Sequence, residues 1–391
     1  MSKPTNKITR TIQSKQVLNA FLQVVRSNLP LDLKNTHITV DDVIYVLGYA
    51  NVHRLSIASA CQELQEAPSG NRLREVLVGA LPEQAGMQRA LNRMFRQQLH
   101  SSLLKGKRRY NIAIDLTLIP YHGQPYEDKK EIMRGAPKSG TTHFHGYATV
   151  SIVHDNRRYV VALRFVEYGE EMADIVRWLI KRVKALKILI RRVFLDKGFC
   201  SKPVFKVLNQ HKLSYVIPIP VRGKSGGVRR LFEGKSRKTT YTFHSPKQGA
   251  YTVQAFVVKR YSKGRYGRHT SKWFAYAVAG LPEGISPAQV FELYRQRFGI
   301  EASYRQMNQV RARTSTRNPV IRLLLVGLAF VLFNLYITLR QSLSSALKQT
   351  VQSPKRFWLS LRRLAFMLGR AIEHLWGVTD VLQLQPCVTL S

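Results

Sequence analysis

The segment from Arg109 to Asp196 constrains the fold most, because three strand patterns, a helix pattern and a fourth strand pattern follow one another there. The runs RYNIAIDLTLIPY, HGYATVSIVHD and RRYVVALRFVEYG are apolar and rich in β-branched and aromatic residues, with short polar breaks between them. This pattern predicts a three-stranded meander. A helix over about 171–186 then crosses to ILIRRVFLD, and such a crossover makes that strand parallel to a neighbour in the sheet. The sequence therefore predicts an α/β core with a mixed sheet.

Helical patterns flank this core, and a β-rich segment interrupts it. Apolar residues recur at spacings of three and four before the first strand, and Asp41 and Asn71 occupy the positions expected of helix N-caps. Gly, Lys and Arg punctuate aromatic and β-branched runs after the core strands. We expect five segments: a helical, DNA-binding domain at 1–106, the first part of the core at 107–220, a β-rich insertion at 221–283, the last part of the core at 284–345, and C-terminal helices at 346–391.

The charge of the chain indicates a polyanionic partner. Sixty-two Lys and Arg residues stand against 23 Asp and Glu, which gives a formal net charge of +39. The basic residues spread along the whole chain rather than along one amphipathic helix, so nucleic acid is favoured over a membrane surface. The three cysteines are far apart, and the polar, basic N-terminus has no apolar core typical of a secretory signal. We expect a cytoplasmic, nucleoid-associated protein.

One apolar run raises the alternative of a membrane anchor. Residues 323–339 read LLLVGLAFVLFNLYITL, between Arg322 and Arg340. A bilayer core needs about 20 apolar residues, and this run is shorter and contains Asn334. A buried core helix is therefore favoured, and no membrane partner is expected.

Three acids carry the candidate chemistry. Asp115 interrupts the apolar strand YNIAIDLTLI, Asp196 ends the fourth strand in FLDKGF, and Glu301 lies on a predicted helix. An acid within an apolar strand is costly unless something pairs with it, and a metal ion would do so. Carboxylate oxygens suit Mg²⁺ or Mn²⁺, and two such ions could activate a water or a 3′-hydroxyl for attack on a phosphodiester. Each acid alone could equally be a surface residue or the partner of a nearby arginine.

The residues around these acids resemble the insertion-sequence DDE transposases of the retroviral-integrase superfamily, in the branch with a β-rich insertion before the last acid. That resemblance implies a ribonuclease-H-like core with Asp115 on its first strand. The family's Asp-x-Gly-Phe/Tyr is matched by Asp196, Gly198 and Phe199. Its Tyr-x2-Arg-x3-Glu-x6-Lys is matched by Tyr294, Arg297 and Glu301, with Asn308 in place of the lysine.

The resemblance also implies roles for residues that touch DNA. It assigns Tyr294 and Arg297 to DNA phosphates near the cut. Either Arg305 or Arg311 supplies the charge that Asn308 lacks, or the grip on the transposon end is weaker. Trp273 resembles a tryptophan on which a flipped base stacks, although a core tryptophan is the simpler interpretation. The loop after the first strand is expected to contact DNA through Lys129, Lys130 and Arg134.

A cluster of histidines after the first strand, His122, His143 and His145, could suggest a zinc site. Such a site needs more ligands at suitable spacing. Structural or DNA-contacting roles are therefore favoured.

Besides a membrane-associated protein anchored by residues 323–339, two functional hypotheses follow. The first is a transposase that uses Asp115, Asp196, Glu301 and two divalent ions to cut element ends by water attack and to join the freed 3′-hydroxyl to target DNA. Its partners would be both DNAs and a second copy of the chain, because two ends must be brought together. The second, motivated by Asn308, is a catalytically inactive DNA-binding protein descended from such an enzyme.

Overall fold

A computed structural model describes residues 11–34, 36–154, 157–246, 249–263, 269–297, 304–348 and 359–380. The chain divides into two compact units. Met1–Gln98 and Arg305–Ser391 form one of them, here called the helical unit, and Leu99–Tyr304 form the other, the sheet unit. These units cut across the five segments expected from the sequence, and those segments stay a prediction.

The described helices are α1 (Ser14–Arg26), α2 (Val40–His53), α3 (Ile57–Glu63), α4 (Gly70–Ala80), α5 (Gln84–Gln98), α6 (Ser101–Lys105), α7 (Met172–Ala185), α8 (Lys202–Gln210), α9 (Pro287–Arg295), α10 (Pro319–Lys348) and α11 (Leu361–Trp376). The described strands are β1 (Arg109–Pro120), β2 (Met133–Lys138), β3 (Thr141–His154), β4 (Arg157–Val166), β5 (Leu189–Leu195), β6 (Tyr215–Pro218), β7 (Arg237–Phe243), β8 (Tyr251–Lys263) and β9 (His269–Ala279).

The apolar helix α10 lies at the core of the helical unit. It is long and apolar enough to cross a membrane, yet 94% of its most apolar window is buried within the protein. It packs closely against α5, where a Cβ on Gly327 would lie 2.3 Å from Leu91 Cδ2, so that only a glycine fits. α11 packs against α1 and α2 in the same unit. The burial confirms the interpretation of residues 323–339 as a core helix.

The N-caps of α2 and α4 are hydroxyl residues two positions before the predicted ones. Thr39 and Ser69 accept hydrogen bonds from the backbone N–H groups of Asp42 and Arg72. The prediction of Asp41 as an N-cap was wrong, because Asp41 instead pairs with Arg26 at 2.6 Å from within the first turn. A short side chain in extended backbone just before the helix is what satisfies these donors.

The sheet unit contains nine described strands in one mixed sheet. Their order is β2-β3-β1-β5-β6-β9-β8-β7, with β4 paired to β3. β1, β3 and β4 form the predicted antiparallel meander, and β5 joins β1 in parallel. The predicted α/β fold with a mixed sheet is therefore confirmed.

Two parts of this sheet were not foreseen. The insertion strands extend the same sheet, since β9 pairs with β6 and continues through β8 to β7. A short strand, β2, lies within the predicted loop after β1 and pairs with β3. Its sequence MRGAPK is largely exposed and lacks apolar alternation, because an edge strand without a buried face has no need of it.

Arg192 on β5 generates a prediction about stability. The residue is 7% exposed, and among the residues that the structure describes its buried Nε has no hydrogen-bond partner. Burial, and secondly Arg191, lower the pKa of Arg192, because both disfavour its charge. Arg192→Met keeps much of the side-chain packing and removes the buried charge. We expect it to raise the free energy of unfolding by at least about 1 kcal/mol.

The measurement is a thermal or urea unfolding curve of the full chain, with the exposed neighbour Arg191→Met as the matched control. The control should leave stability nearly unchanged. A loss of stability in Arg192→Met alone would show that the guanidinium has a favourable partner.

Candidate active site

Asp115 and Asp196 lie side by side on neighbouring parallel strands. In the register of β1 and β5, Ile114 pairs with Leu195, and each acid is the next residue along its strand direction. Asp196 follows the last residue of β5 and begins a 3-10 turn over Lys197–Phe199. The expectation that the two acids come from adjacent strands is confirmed by this pairing.

Arg297 joins the two acids. Its Nη2 lies 3.1 Å from Asp115 Oδ1, and its Nη1 lies 3.5 Å from Asp196 Oδ1. The Arg297 side chain is only 4% exposed, whereas that of Asp196 is 39% exposed. A buried guanidinium is costly unless it is paired, and here one cation serves two carboxylates.

Asp115 is the more buried acid, and its ionisation is perturbed. Burial raises its pKa to about 6, and the negative charge of Asp196 acts in the same direction. Arg297 and the backbone N–H of Leu116, which donates to Asp115 Oδ1 at 3.0 Å, act in the opposite direction. Desolvation therefore outweighs the arginine.

Two tyrosines hold the backbone that carries the acids. Tyr294, at the end of α9, donates a hydrogen bond from its hydroxyl to the carbonyl oxygen of Leu195 at 3.1 Å. The Tyr304 hydroxyl lies 2.5 Å from Thr149 Oγ1 and 3.4 Å from the carbonyl oxygen of Asp115. Burial raises the pKa of both tyrosines, so both hydroxyls keep their protons. The contacts of Tyr304 and Thr149 with Asp115 were not foreseen, because they depend on Thr149 lying opposite Asp115 in the β1–β3 register.

The third predicted acid lies outside the described residues. α9 ends at Arg295, Arg297 follows in a turn, and residues 298–303, including Glu301, are not described. Within the described ranges, no group of three His, Cys, Asp or Glu residues could hold a metal ion. The described part of the site is thus an acid pair with its arginine.

Asn308, which stands where the family motif has a lysine, and its neighbour Arg305 belong to the helical unit. Arg305 and Asn308 are exposed there. Arg311 Nε donates to Asn308 Oδ1 at 3.1 Å, so a guanidinium accompanies the amide.

Trp273 is half-buried on β9 and belongs to an aromatic group of the insertion strands. Its ring stacks on that of Phe232, with centroids 5.9 Å apart and an interplanar angle of 9°. Lys259 Nζ lies 5.1 Å from the Trp273 centroid and 5.4 Å from that of Tyr261. Tyr261 is 71% exposed. Trp273 is therefore neither fully buried in a core nor fully exposed for stacking on a base.

The loop after β1 presents the predicted basic residues Lys129, Lys130 and Arg134 at the surface. Its histidines separate into two environments. His145 is buried beside the rings of Tyr121 and Phe165, at centroid distances of 4.7 and 6.2 Å. His122 and His143 instead line a cavity.

Comparisons with known proteins bear on the family and the fold. A family model described as a transposase DDE domain matches residues 106–335. A cryo-EM structure of piggyBac transposase in a synaptic complex with hairpin DNA matches with a TM-score of 0.57 and 13% identity, over 94% of this chain and 82% of that one. A Marinitoga piezophila Argonaute structure with guide RNA matches over 64% of this chain and 33% of that one, with 7% identity and a TM-score of 0.21, a likeness too slight to bear on the fold. No curated protein sequence matches.

The piggyBac likeness agrees with the ribonuclease-H-like α/β core expected from the sequence. The family match spans more than half of the chain and includes both aspartates of the acid pair. The chain therefore belongs to the transposase DDE domain family.

Proposed function

We propose that this protein is a DNA transposase that cuts DNA at the ends of an insertion element and joins the freed 3′ ends to target DNA, in a cut-and-paste pathway. The observation that carries this proposal is the acid pair, Asp115 and Asp196, which shares the buried Arg297. Membership in the transposase DDE domain family supports it. The DNA named in the piggyBac structure gives the substrate class by analogy.

The acid pair fits a divalent cation. Its two carboxylates converge on one positive group, and carboxylate oxygens are the ligands that Mg²⁺ and Mn²⁺ prefer. A Cβ on Gly198 would lie 3.9 Å from Asp196 Oδ2, so the glycine leaves the space beside that oxygen without a side chain. In this proposal Asp115, Asp196 and Glu301 hold two ions. When bound, such ions activate a water or a 3′-hydroxyl and stabilise the leaving oxygen of the phosphodiester.

The remaining residues of the site position the acids. Arg297 offsets the repulsion between the two carboxylates, and Tyr294 and Tyr304 fix the strand backbones beside them. Family resemblance gives Tyr294 and Arg297 to DNA phosphates. Their burial favours a positioning role as well, since a displacement of either residue would disturb the geometry of the acids.

The grip on DNA in this proposal comes from exposed basic residues. Lys129, Lys130 and Arg134 contact DNA beyond the end of β1, the strand that carries Asp115. Arg305, which belongs to the helical unit, contacts DNA phosphates. Arg311, held beside Asn308, supplies the charge that the family's lysine would bring. The Trp273 group stacks on or packs against a displaced base. Two element ends require two active sites, so the protein acts as a homodimer in this proposal. Its place of action is the cytoplasm, at the nucleoid.

The first test is strand cleavage. We expect Asp115→Ala, Asp196→Ala and Glu301→Ala each to lower the rate of metal-dependent cutting at labelled element ends by at least about a thousandfold, because each removes an oxygen ligand from the reacting centre. Asp174→Ala is the matched control, since Asp174 is an exposed acid on α7 paired with Arg177. It should cut at the wild-type rate.

The outcome of this assay decides between the two hypotheses. Wild-type cutting by all three acid variants would exclude the mechanism. Salt-sensitive binding of the element ends without cutting, in Mg²⁺ or Mn²⁺ and in every variant, would instead favour the inactive, DNA-binding descendant suggested by Asn308.

The second test uses the raised pKa of Asp115. An unperturbed aspartate titrates near 3.9, so between about pH 4 and pH 6 the folded chain keeps a proton that the unfolded chain has lost. The free energy of unfolding contributed by this group therefore falls as the pH rises through that window and then levels off. Asp115→Asn does not titrate, so in the presence of a chelator we expect the free energy of unfolding of wild type, measured relative to that of Asp115→Asn, to fall by about 2–3 kcal/mol from pH 4 to pH 7.

Asp196→Asn is the comparison variant, because Asp115 keeps its carboxyl group there while the negative charge that helps to raise its pKa is removed. Both variants should lose cleavage. Asp115→Asn should abolish the fall in the free energy of unfolding between pH 4 and pH 7, whereas Asp196→Asn should keep part of it. A stability difference between Asp115→Asn and wild type that stays constant across pH 4–7 would contradict the raised pKa.

A further inference from the structure

A polar cavity of about 370 Å³ lies beyond the end of β1, between the following loop and the β2–β3 hairpin. Its basic lining residues are His122, Lys129, Arg134 and His143. The volume falls in the range of small-ligand sites, about 300–1,000 Å³. Four basic side chains from separate parts of the chain therefore converge on one space.

The acids of the same loop do not neutralise this cavity. The buried Glu131 accepts hydrogen bonds from the backbone N–H groups of Tyr126, Glu127 and Asp128, and Asp128 accepts from the backbone N–H of Lys130. Among the described residues, no carboxylate lines the cavity. Glu131 thus folds the loop that carries Lys129 and leaves the positive charge uncompensated.

Arg134 is held in place by His143. The two residues face each other across β2 and β3, and Arg134 Nη1 contacts His143 Nε2. A guanidinium has donors only, so His143 Nε2 is the acceptor. Thr141 fixes the cavity wall, since its Oγ1 donates to the carbonyl oxygen of Tyr121 at 2.8 Å.

A zinc ion does not fit this arrangement. His122 and His143 are the histidines of the cavity, and no described Cys, Asp or Glu residue joins them there. Structural zinc sites use four ligands and catalytic ones three with a water. A strongly basic, acid-free lining instead matches an oxyanion.

We infer that this cavity binds one backbone phosphate of the DNA that the proposed transposase cuts, a phosphate that flanks the cleavage position. Lys129 and Arg134 contact the phosphate, His122 borders it, and His143 is a positioning residue for Arg134. β1 connects the cavity to the acid pair: Tyr121 lies six residues after Asp115, or about 20 Å at about 3.3 Å per residue. Since DNA rises about 3.4 Å per nucleotide, the bound phosphate is several nucleotides from the one that is cut.

The test replaces single phosphates by neutral methylphosphonates along a duplex that carries the element end, and measures binding by the full chain without divalent ions. For wild type, we expect one position, distinct from the cleavage position, at which the neutral linkage weakens binding by about tenfold, as the loss of one charge-assisted contact would. The double variant Lys129→Gln/Arg134→Gln should bind the unmodified duplex more weakly and be indifferent to that substitution. The salt dependence of its binding should also fall by about 0.9 per lost phosphate contact.

The matched control is Lys181→Gln/Lys206→Gln, which removes two exposed charges from α7 and α8. It should keep the wild-type response to the methylphosphonate. His143→Leu should lose part of the response, and His143→Gln, which retains an acceptor for Arg134, should restore it. That rescue separates positioning of Arg134 from a general effect on folding.

Inorganic phosphate distinguishes a DNA phosphate from a free anion. If the phosphate ion at constant ionic strength stabilises wild type and not the double variant, while no methylphosphonate position depends on the cavity, the ligand is a free anion and the inference is overturned. The same holds if the cavity variant and the charge control respond alike. This inference rests on the proposed function, yet the outcomes are separable: a chain that binds the element end and lacks the cavity-dependent position refutes only the inference, whereas a chain that binds no DNA refutes the proposed function.

Discussion

Arg297 is the cation that allows two carboxylates to lie close together in the sheet unit. Without Arg297, among the groups that the structure describes, only the backbone N–H of Leu116 would oppose the rise in the pKa of Asp115 that its burial and the charge of Asp196 cause. Removing one partner of a buried charge pair costs about 3–5 kcal/mol, or forces the remaining group to take up a proton. Tyr294 and Tyr304 fix the strand backbones that carry the two acids, and so help to keep both carboxylates beside Arg297.

The sheet explains why the acids meet at all. A crossover through α7 places β5 parallel to β1, and the register sets the two acids at one level. The parallel pairing of the fourth strand followed from the sequence, since a helix pattern lies between the third and fourth strand patterns. The helix α10 was also predictable, because a long apolar run with a polar residue near its middle suits the core of a helical unit.

Other features depend on tertiary contacts that local patterns do not encode. Thr149 becomes a neighbour of Asp115 only through the β1–β3 register, and nothing in its surrounding sequence marks it. The resemblance assigned Arg297 to DNA, whereas its burial between two acids could be learned only from the packing of α9 on the sheet. β2 was missed because exposed edge strands lack apolar alternation, and the merging of the insertion with the sheet required the pairing of β9 with β6.

The order of segments along the chain has a consequence for synthesis. The helical unit is built from residues that precede and follow the sheet unit along the chain. About 200 residues must therefore be translated between α5 and α10, which packs on it. At about 5–20 residues per second, the apolar faces of the first helices wait roughly 10–40 s on the ribosome for α10. The sheet unit emerges as one uninterrupted stretch and can fold during that interval. A nascent chain would therefore complete its acid pair before its helical core. Until α10 emerges, the exposed apolar faces of the first helices would need protection from aggregation.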